Sequence, residues 1–357
     1  MAITTIAHAQ PTRVTVGVDT HGDVHVAHAK DQLGRRLDTV SIPTTPTGYR
    51  DLLAWARGLG QVQAWGVEGT GSYGAGLARY LRKAGQVVLE VNRPDRAARR
   101  RRGKSDPVDA EAAARAVQAG VTIVPKAADG HVEMLRSLRV ARTTAMRART
   151  QAVNALRSLL VTAPAELREQ LRGRSAVRLV GVAATLDPGR LTSPTAAAML
   201  ALRTLARRYQ ALDAEITALD SELDRLTATA APRLLALFGV GPDVASALLI
   251  AAGDNPRRLR SEAAFSMLCG SSPIEASSGK TTRHRLNRGG DRQANAALYR
   301  IVIVRLRWHQ PTKDYVARRT AEGKSKKEII RCLKRYVARE VFAVLREMNQ
   351  ADPATAA

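Results

Sequence analysis

Apolar residues recur at alternating intervals of three and four positions from Leu202 to Leu226, and this pattern constrains the fold more than any other. Such a spacing predicts a long helix with a coiled-coil seam. A second, looser helical stripe runs from Met134 to Leu160. Two such helices can pack as a self-contained hairpin or form a dimerising arm, and the regularity of the seam favours the arm. The seam residues are Leu202, Leu205, Tyr209, Leu212, Ile216, Leu219, Leu223 and Leu226.

The segment between these helices contains several residues that interrupt helices. The sequences AP, DPG and SP occur between positions 162 and 194. Proline lacks a backbone N–H, and glycine destabilises helix interiors. We therefore predict a middle region over residues 130–229, with an irregular insert at about 162–194.

The composition favours helices elsewhere too. A chain of 357 residues is long enough for two or three domains. Hydrophobic residues make up 45% of the chain but aromatic residues only 4%, so the core must consist mainly of Ala, Leu and Val. Such a composition suits long helices.

The chain is strongly basic, with 56 Lys and Arg against 32 Asp and Glu and a formal net charge of +24. A surface with this charge repels itself unless a polyanion neutralises it. Between Lys280 and Glu347 there are 19 Lys and Arg against 6 Asp and Glu. The predicted partner is therefore nucleic acid, bound largely by the C-terminal part of the chain.

An anionic membrane is the competing partner. The longest uncharged apolar stretch, Val244 to Gly253, is far shorter than the about 20 residues that a membrane helix needs. The N-terminal segment lacks the features of a signal peptide. Cys269 and Cys332 form neither a CxxC pair nor a disulfide framework. We therefore expect a cytoplasmic, nucleoid-associated protein with no membrane partner.

Residues 13–125 alternate strand and helix signals. The segments RVTVGVD, VHVAHAK and RLDTVSI predict three successive strands, and QAWGVE and QVVLEV predict two more. Helices are predicted over Thr47–Gly58, Tyr73–Ala84 and Asp106–Ala119. This order predicts a mixed-sheet α/β domain followed by an all-α remainder, with flexible tails at 1–12 and 351–357.

Four acidic residues of this domain are candidates for one divalent-metal site. Asp19 and Glu68 each end a predicted strand, and ligands bind at the carboxyl edge of such sheets. Asp106 and Asp109 share one face at a predicted helix start. Carboxylate oxygens select Mg²⁺ or Mn²⁺, and two such ions can clamp a phosphodiester. Taken singly, each acid also fits a structural role as a turn residue, an N-cap or a partner of the helix dipole.

Two other patterns compete for the same region. GTGSYG, with Gly69, Gly71 and Gly74, nearly satisfies a dinucleotide-binding spacing, but the Glu68 charge and the preceding strands argue against it. The histidines of HGDVHVAH could bind a metal. Because His28 faces opposite His21 and His25 in an extended segment, surface positions are the favoured interpretation. His21 alone could touch the metal site.

A run of basic residues lies directly before Asp106. Seven basic residues and one acid occur from Arg93 to Lys104. The run is either a solvated surface or a phosphate clamp that feeds the metal site, and its position favours the clamp. The predicted nucleic-acid contacts here are Arg99, Arg100, Arg101, Arg102 and Lys104.

The C-terminal region, residues 230–350, carries two loops that could contact phosphates. Gly239 and Gly241 precede a Pro and an Ala-rich helix, which resembles the turn of a helix-hairpin-helix element. Further on, SSGK forms a polar loop followed by a basic turn. A nucleophilic serine does not follow from these residue types alone. The basic candidates here are Lys280, Arg283, Arg285 and Arg288.

Together these motifs resemble the DEDD transposases of bacterial insertion sequences related to the Piv DNA invertases, a family that includes bridge-RNA-guided recombinases. The resemblance rests on GVDTH, VEGTGSYG and KSDPVDAEAAA in the N-terminal half. In the C-terminal half it rests on LLALFGVGPDVASALL and AAFSMLCGSSPIEASSGK. The second position of the usual G-L-x-P is Ser271 here.

The resemblance implies a RuvC-like, RNase H-type domain whose tetrad corresponds to Asp19, Glu68, Asp106 and Asp109. It also implies a C-terminal transposase domain with a catalytic serine at Ser278, beside Ser277. The implied reaction cleaves and rejoins donor and target DNA through a phosphoserine with Mg²⁺ or Mn²⁺. The implied partners are a noncoding bridge RNA and further copies of the chain, as a dimer that assembles to a tetramer.

The sequence is also compatible with two other functions. A RuvC-like junction-resolving nuclease would use the metal site without covalent serine chemistry. A basic architectural binder would use neither centre.

Overall fold

The computed structural model describes residues 11–92, 105–255 and 258–351. These residues form two compact units. The first consists of the described residues of 1–130, 252–265 and 349–357. The second consists of residues 131–251 and 266–348.

The first unit contains a mixed five-stranded sheet. Its strands are β1 (Arg13–Thr20), β2 (Val24–Lys30), β3 (Arg36–Pro43), β4 (Gln61–Glu68) and β5 (Val88–Val91). They lie in the order β3-β2-β1-β4-β5. The first three form an antiparallel meander, whereas β4 pairs in parallel with β1 and β5. The mixed-sheet α/β prediction is confirmed.

Helices cover both faces of this sheet. They are α1 (Pro46–Leu59), α2 (Ala75–Lys83) and α3 (Asp106–Gln118). Val16 and Val18 of β1 share a buried cluster with Leu52 of α1 and Leu77 of α2. The residue between them, Gly17, faces α3, because successive residues of a strand point to opposite faces.

Two glycines let α3 lie directly on the sheet. Gly17 of β1 and Gly66 of β4 are register partners on adjacent strands. A Cβ atom at Gly17 would lie 2.1 Å from the carbonyl oxygen of Ala110, and one at Gly66 would lie 2.5 Å from Val117 Cγ2. On the helix, the residues that face the sheet are also small: Ala110, Ala113 and Ala114 are all buried. Small residues on both sides therefore fix the depth of α3.

An ion pair also holds α3 to the sheet. The Lys30 ammonium of β2 lies 3.0 Å from the Glu111 carboxylate of α3. Burial would raise the pKa of Glu111, but the hydrogen bonds and positive charges of Lys30 and Arg115 together outweigh that effect, and the pKa is lowered. Lys30 is itself 5% exposed, so this contact fixes both position and charge.

The surface positions expected for the strand histidines are wrong. His25 and His28 are both buried. The His25 ring stacks on Tyr49 at 5.9 Å, and His28 Nδ1 lies 2.8 Å from Thr39 Oγ1. Both β2 faces are covered by helices, so the alternation of residues along β2 leaves no solvated face for either imidazole.

A late segment of the chain completes the first unit. The Asp254 carboxylate accepts hydrogen bonds from the backbone N–H groups of Ala127 (3.1 Å) and Ala128 (3.3 Å). Asn255 donates to the carbonyl oxygen of Pro125 at 2.7 Å. Residues after 251 thus anchor the strap that follows the sheet domain.

The second unit contains the two predicted long helices, α4 (His131–Thr162) and α7 (Pro194–Ala230). Arg142 pairs with Asp220 and Arg149 with Asp213, so the helices run antiparallel. The seam is therefore packed within one chain as a hairpin, the less favoured of the two interpretations. Of the seam residues, Leu202, Ile216, Leu223 and Leu226 are buried, and the other four are half-buried. A dimerising role for these helices stays a prediction.

The segment predicted as an irregular insert, at about 162–194, is only partly irregular. Two short helices, α5 (Ala165–Leu171) and α6 (Ala176–Ala184), form about half of it. Leu167, Leu171 and Leu179 share a buried cluster with Leu156 and Leu202 of the hairpin. The prolines precede helices instead of interrupting them: Pro164 is the N-cap of α5, and Pro194 is in the first turn of α7.

The remainder is helical, as predicted. It comprises α8 (Pro232–Leu235), α9 (Pro242–Ala252), α10 (Glu262–Leu268), α11 (Arg292–Trp308), α12 (Gln310–Ala321) and α13 (Lys326–Ala351). A two-stranded hairpin, β6 (Ile274–Glu275) and β7 (His284–Arg285), interrupts it. Across the part of the chain that the structure describes, no helix combines the length and apolarity needed to cross a membrane.

Candidate functional site

The carboxyl ends of β1 and β4 bring two of the candidate acids to one edge of the sheet. Val18 and Val67 are register partners, so Asp19 and Glu68 each follow at the next position of neighbouring parallel strands. Asp19 is 5% exposed, and Glu68 is half-buried. The Thr20 hydroxyl donates to the Glu68 carbonyl oxygen at 2.8 Å, which ties the two strand ends together.

The first turn of α3 supplies the other two acids. Asp106 is half-exposed and Asp109 is buried. The N-cap position belongs to Ser105, so the structural role of N-cap considered for Asp106 is wrong. Because Gly17 and Gly66 let α3 approach, this turn lies over the end of β1.

His21 bridges the two groups of acids. Its Nε2 atom lies 3.2 Å from Asp19 Oδ2 and 3.4 Å from Asp106 Oδ1. One ligand atom from each of these three residues lies within 4.8 Å of the others. Two carboxylates and an imidazole are donors that suit a divalent cation such as Mn²⁺ or Mg²⁺. The residues present therefore fit a divalent ion.

The other two acids of the predicted tetrad lie beside this cluster. Burial raises the pKa of Asp19, His21 lowers it, and Asp109 and Asp106 raise it further. Asp109 is thus close enough for its charge to act on Asp19. Glu68 falls outside the three-residue cluster, and its participation stays a prediction. The net effect is a carboxylate whose charged form a cation would stabilise.

Glu68 lines a small pocket at the same sheet edge. The pocket has a volume of about 260 Å³ and also contains Glu90, Asn92 and Ser72. Of the three glycines in GTGSYG, only Gly69 has a positive φ, 65°. Two carboxylates in this pocket would repel a pyrophosphate, which supports the rejection of the dinucleotide-binding interpretation.

Ser278 lies at the tip of the β6–β7 hairpin. Its backbone N–H and carbonyl pair with Thr281 at 3.1 Å in both directions, so Gly279 and Lys280 form a two-residue turn. Gly279 has a φ of 56°, which such turns require. The whole tip is exposed.

The two neighbouring serines differ in their contacts. The Ser277 hydroxyl accepts from the Arg283 N–H at 3.2 Å and donates to the Arg283 carbonyl at 3.4 Å. Among the residues that the structure describes, none hydrogen-bonds to the Ser278 hydroxyl. Ser277 therefore stabilises the hairpin, whereas Ser278 is exposed at its tip.

The predicted nucleic-acid contacts fall into three groups: the residues around the hairpin, the basic run before Asp106, and the glycines before α9. Lys280, Arg283 and Arg285 lie on the exposed hairpin, and Arg288 follows it. Arg99, Arg100, Arg101, Arg102 and Lys104 lie outside the described residues.

Gly239 and Gly241 lie in the turn before α9. A Cβ atom at Gly241 would meet nothing within 4 Å, so that position is open. The first turn of α9 already carries the Asp243 carboxylate, paired with Arg139 at 2.6 Å. A phosphate contact at this turn stays a prediction.

Two residues that shape the site, Gly17 and Gly66, are not singled out by the sequence, and His21 is singled out only as a residue that could touch the metal site. The HGDVHVAH pattern drew attention to all three histidines, but only His21 lies beyond the strand pairing and points to the acids. A glycine inside an apolar strand run was the available signal for close helix packing.

Comparisons with known proteins agree with this architecture. The family model of IS110-type DEDD transposases matches residues 16–163, and that of the transposase IS116/IS110/IS902 family matches residues 231–317. A search of curated proteins found no significant match. The mixed sheet with acids at its edge fits the RNase H-like domain of the first family, and helices make up most of the second match. The chain belongs to the IS110-type DEDD transposases, enzymes that act on DNA.

Proposed function

We propose that this transposase cleaves and rejoins DNA strands of an insertion sequence with two centres, the acidic site and Ser278. The observation that carries the proposal is the convergence of Asp19, His21 and Asp106 at one sheet edge. Neighbouring carboxylates in such a place repel each other without a cation. A bound cation would offset this repulsion, which otherwise destabilises the folded chain.

The acidic site would hold Mg²⁺ or Mn²⁺ through Asp19 and Asp106, with His21, Asp109 and Glu68 around them. A bound divalent ion supplies Lewis-acid stabilisation of phosphate charge. The residues themselves fix where the ion binds: Asp19 through the rigid end of β1, Asp106 through the start of α3. His21, in contact with both carboxylates, would orient them.

Metal binding can be tested apart from catalysis. We expect millimolar Mn²⁺ or Mg²⁺ to raise the Tm of the chain by about 2–4 °C, because ligands that bind only the folded state stabilise it. Asp106→Asn should abolish the shift. Asp51→Asn, which removes an exposed carboxylate on α1, should retain it. Equal shifts in all three chains would contradict a metal site at Asp106; differential scanning fluorimetry with a chelator control measures them.

Ser278 would act as the nucleophile. Its oxygen forms an ester bond with phosphorus, the bond to one strand oxygen breaks, and that oxygen leaves as a hydroxyl with the serine proton. The exposed turn and the unengaged hydroxyl support this role. The neighbouring cations Lys280, Arg283 and Arg285 would hold the strand by its phosphates.

Covalent trapping tests the serine. We expect Ser278→Ala to eliminate protein–DNA adducts on denaturing gels, because no ester can form, while the fold is retained. Ser277→Ala is the matched control, and it should still form adducts although its hairpin loses two hydrogen bonds. Adducts that persist in Ser278→Ala would favour the alternative, a RuvC-like junction-resolving nuclease that uses only the metal.

The same proposal includes partners. The basic C-terminal region would bind a noncoding guide RNA by its backbone and shape. A dimer that assembles to a tetramer would present paired acidic sites and serines to two DNA segments. Co-purification of a structured RNA with the chain, together with a tetramer mass on DNA, would support both features.

A further inference from the structure

A cavity of about 890 Å³ lies in the second unit, beside the β6–β7 hairpin. One face of α11, one face of α13 and the loops at 270–273 and 286–290 form its walls. The first loop leads into β6 and the second begins just after β7, so the cavity is at the base of the hairpin that carries Ser278. Its basic and tyrosine lining residues are Arg288, Arg292, Tyr299, Arg331, Lys334, Arg335, Tyr336 and Arg339.

The cavity is positively charged. Among the described residues that line it, six are Lys or Arg and none is Asp or Glu. Burial, and then Arg331, lowers the pKa of Lys334; burial, and then Arg339, lowers that of Arg335. Both cations are thus held where their charge is disfavoured. An anion in the cavity would relieve this repulsion.

Aromatic rings stand among these cations. Tyr299 is 45% exposed and Tyr336 is 47% exposed, which is high for a large aromatic side chain. Tyr336 is held edge-on by Tyr315 at 5.7 Å, and the Arg339 guanidinium lies over its ring at 5.8 Å. Accessible aromatic rings with guanidinium groups nearby are the combination on which nucleic-acid bases stack.

The floor of the cavity is rigid and polar. The Lys334 ammonium donates to Asn295 Oδ1 at 3.0 Å. Asn295 Nδ2 donates in turn to the carbonyl oxygens of Cys269 at 2.7 Å and Gly270 at 3.1 Å. This network fixes the loop that leads to Pro273 and β6. The network thus connects the cavity to the loop at the base of the hairpin.

We propose that this cavity binds a single unpaired nucleotide of the nucleic-acid strand that the hairpin engages, with its base against Tyr299 and Tyr336 and its phosphate on Arg331 and Arg335. The volume lies in the range of about 300–1,000 Å³ that small-ligand pockets have, which admits one nucleotide and excludes a paired helix. The inference rests on the proposed function in one respect, that the substrate is a nucleic acid.

The two cysteines provide a direct test in the full-length chain. Cys332 lines the cavity, whereas Cys269 is buried and burial raises its pKa to about 12. A maleimide should therefore label Cys332, and Cys332→Ser should remove the label. We expect an oligodeoxynucleotide duplex with one unpaired nucleotide to slow labelling about tenfold and the fully paired duplex to leave it unchanged. A bulged oligoribonucleotide duplex distinguishes a guide RNA from DNA as the source.

Two variants make the test specific. Tyr299→Ala and Arg331→Gln should each weaken binding of the bulged duplex about tenfold and leave the fully paired duplex bound as before. Arg346→Gln removes the same charge from an exposed position on α13 outside the cavity and should affect both duplexes equally. Circular dichroism checks that each variant is folded.

Two results of the labelling experiment would contradict the nucleotide pocket. Equal labelling of Cys332 with and without every oligonucleotide, or equal protection by the paired duplex, would overturn the inference. If the wild-type chain still forms covalent adducts in that case, the proposed function stands and only the nucleotide pocket is wrong. Loss of binding to every nucleic acid would contradict both.

Discussion

A chain that carries Asp19→Asn is expected to fold and bind DNA but to cleave it at least about a hundred times more slowly. Asp19 is buried at the end of β1 and contacts His21, which contacts Asp106. The amide has the same shape but no charge, so the cluster loses the group that would bind a cation most directly. Single-turnover cleavage of a DNA substrate that carries the insertion-sequence ends measures the effect.

Asp23→Asn is the matched control for this experiment. Asp23 lies in the turn after β1, where it is exposed, so the same charge is removed within a few residues of the site. We expect its cleavage rate to stay close to that of the native chain. Native cleavage in Asp19→Asn would contradict a catalytic role for the acidic site.

The second large effect is expected at Gly17, which contacts no substrate. Gly17→Ala should lower the free energy of unfolding by at least about 2 kcal/mol, because its Cβ would lie 2.1 Å from a backbone oxygen of α3 that cannot move alone. Displacement of α3 would carry Asp106 and Asp109 away from Asp19. The Mn²⁺-dependent rise in Tm should disappear as well. Urea unfolding, followed by fluorimetry with the metal, measures both.

Gly58→Ala is the control for that substitution. Gly58 lies within α1, and a Cβ atom there would meet nothing within 4 Å. Alanine favours helices over glycine by about 1 kcal/mol, so this variant should be as stable as the native chain or more stable. If Gly17→Ala behaved in the same way, the close packing of α3 would not control the site.

The first unit could be predicted from sequence because its signals are local. Alternating apolar residues end in Gly-containing turns, so all five strands were placed to within a few residues. The acids at strand ends followed from the same reasoning. His25 and His28 were misplaced because the burial of β2 depends on α1 and α3, which lie far from β2 in sequence.

The middle region, residues 130–229, was harder to predict because its signals depend on their position within a helix. A proline reads as a helix breaker until its position within a helix is known, and Pro164 and Pro194 both lie at helix starts. The seam from Leu202 to Leu226 predicted a partner helix but could not identify it, because α4 of the same chain and another copy offer similar surfaces. The nucleotide-sized cavity was beyond sequence reasoning, since its lining comes from residues 270–339 on four separate segments.

Asp254 and Asn255 give the first unit a particular order of assembly. They secure the backbone at Pro125, Ala127 and Ala128, yet they follow the whole helical hairpin in the chain. Domains fold as units, from the N-terminus, while the ribosome is still extending the chain. The hydrogen bonds from Asp254 and Asn255 to residues 125–128 can therefore form only after the helical hairpin has been synthesised. Completion of the first unit is in this way coupled to synthesis of the chain through Asn255.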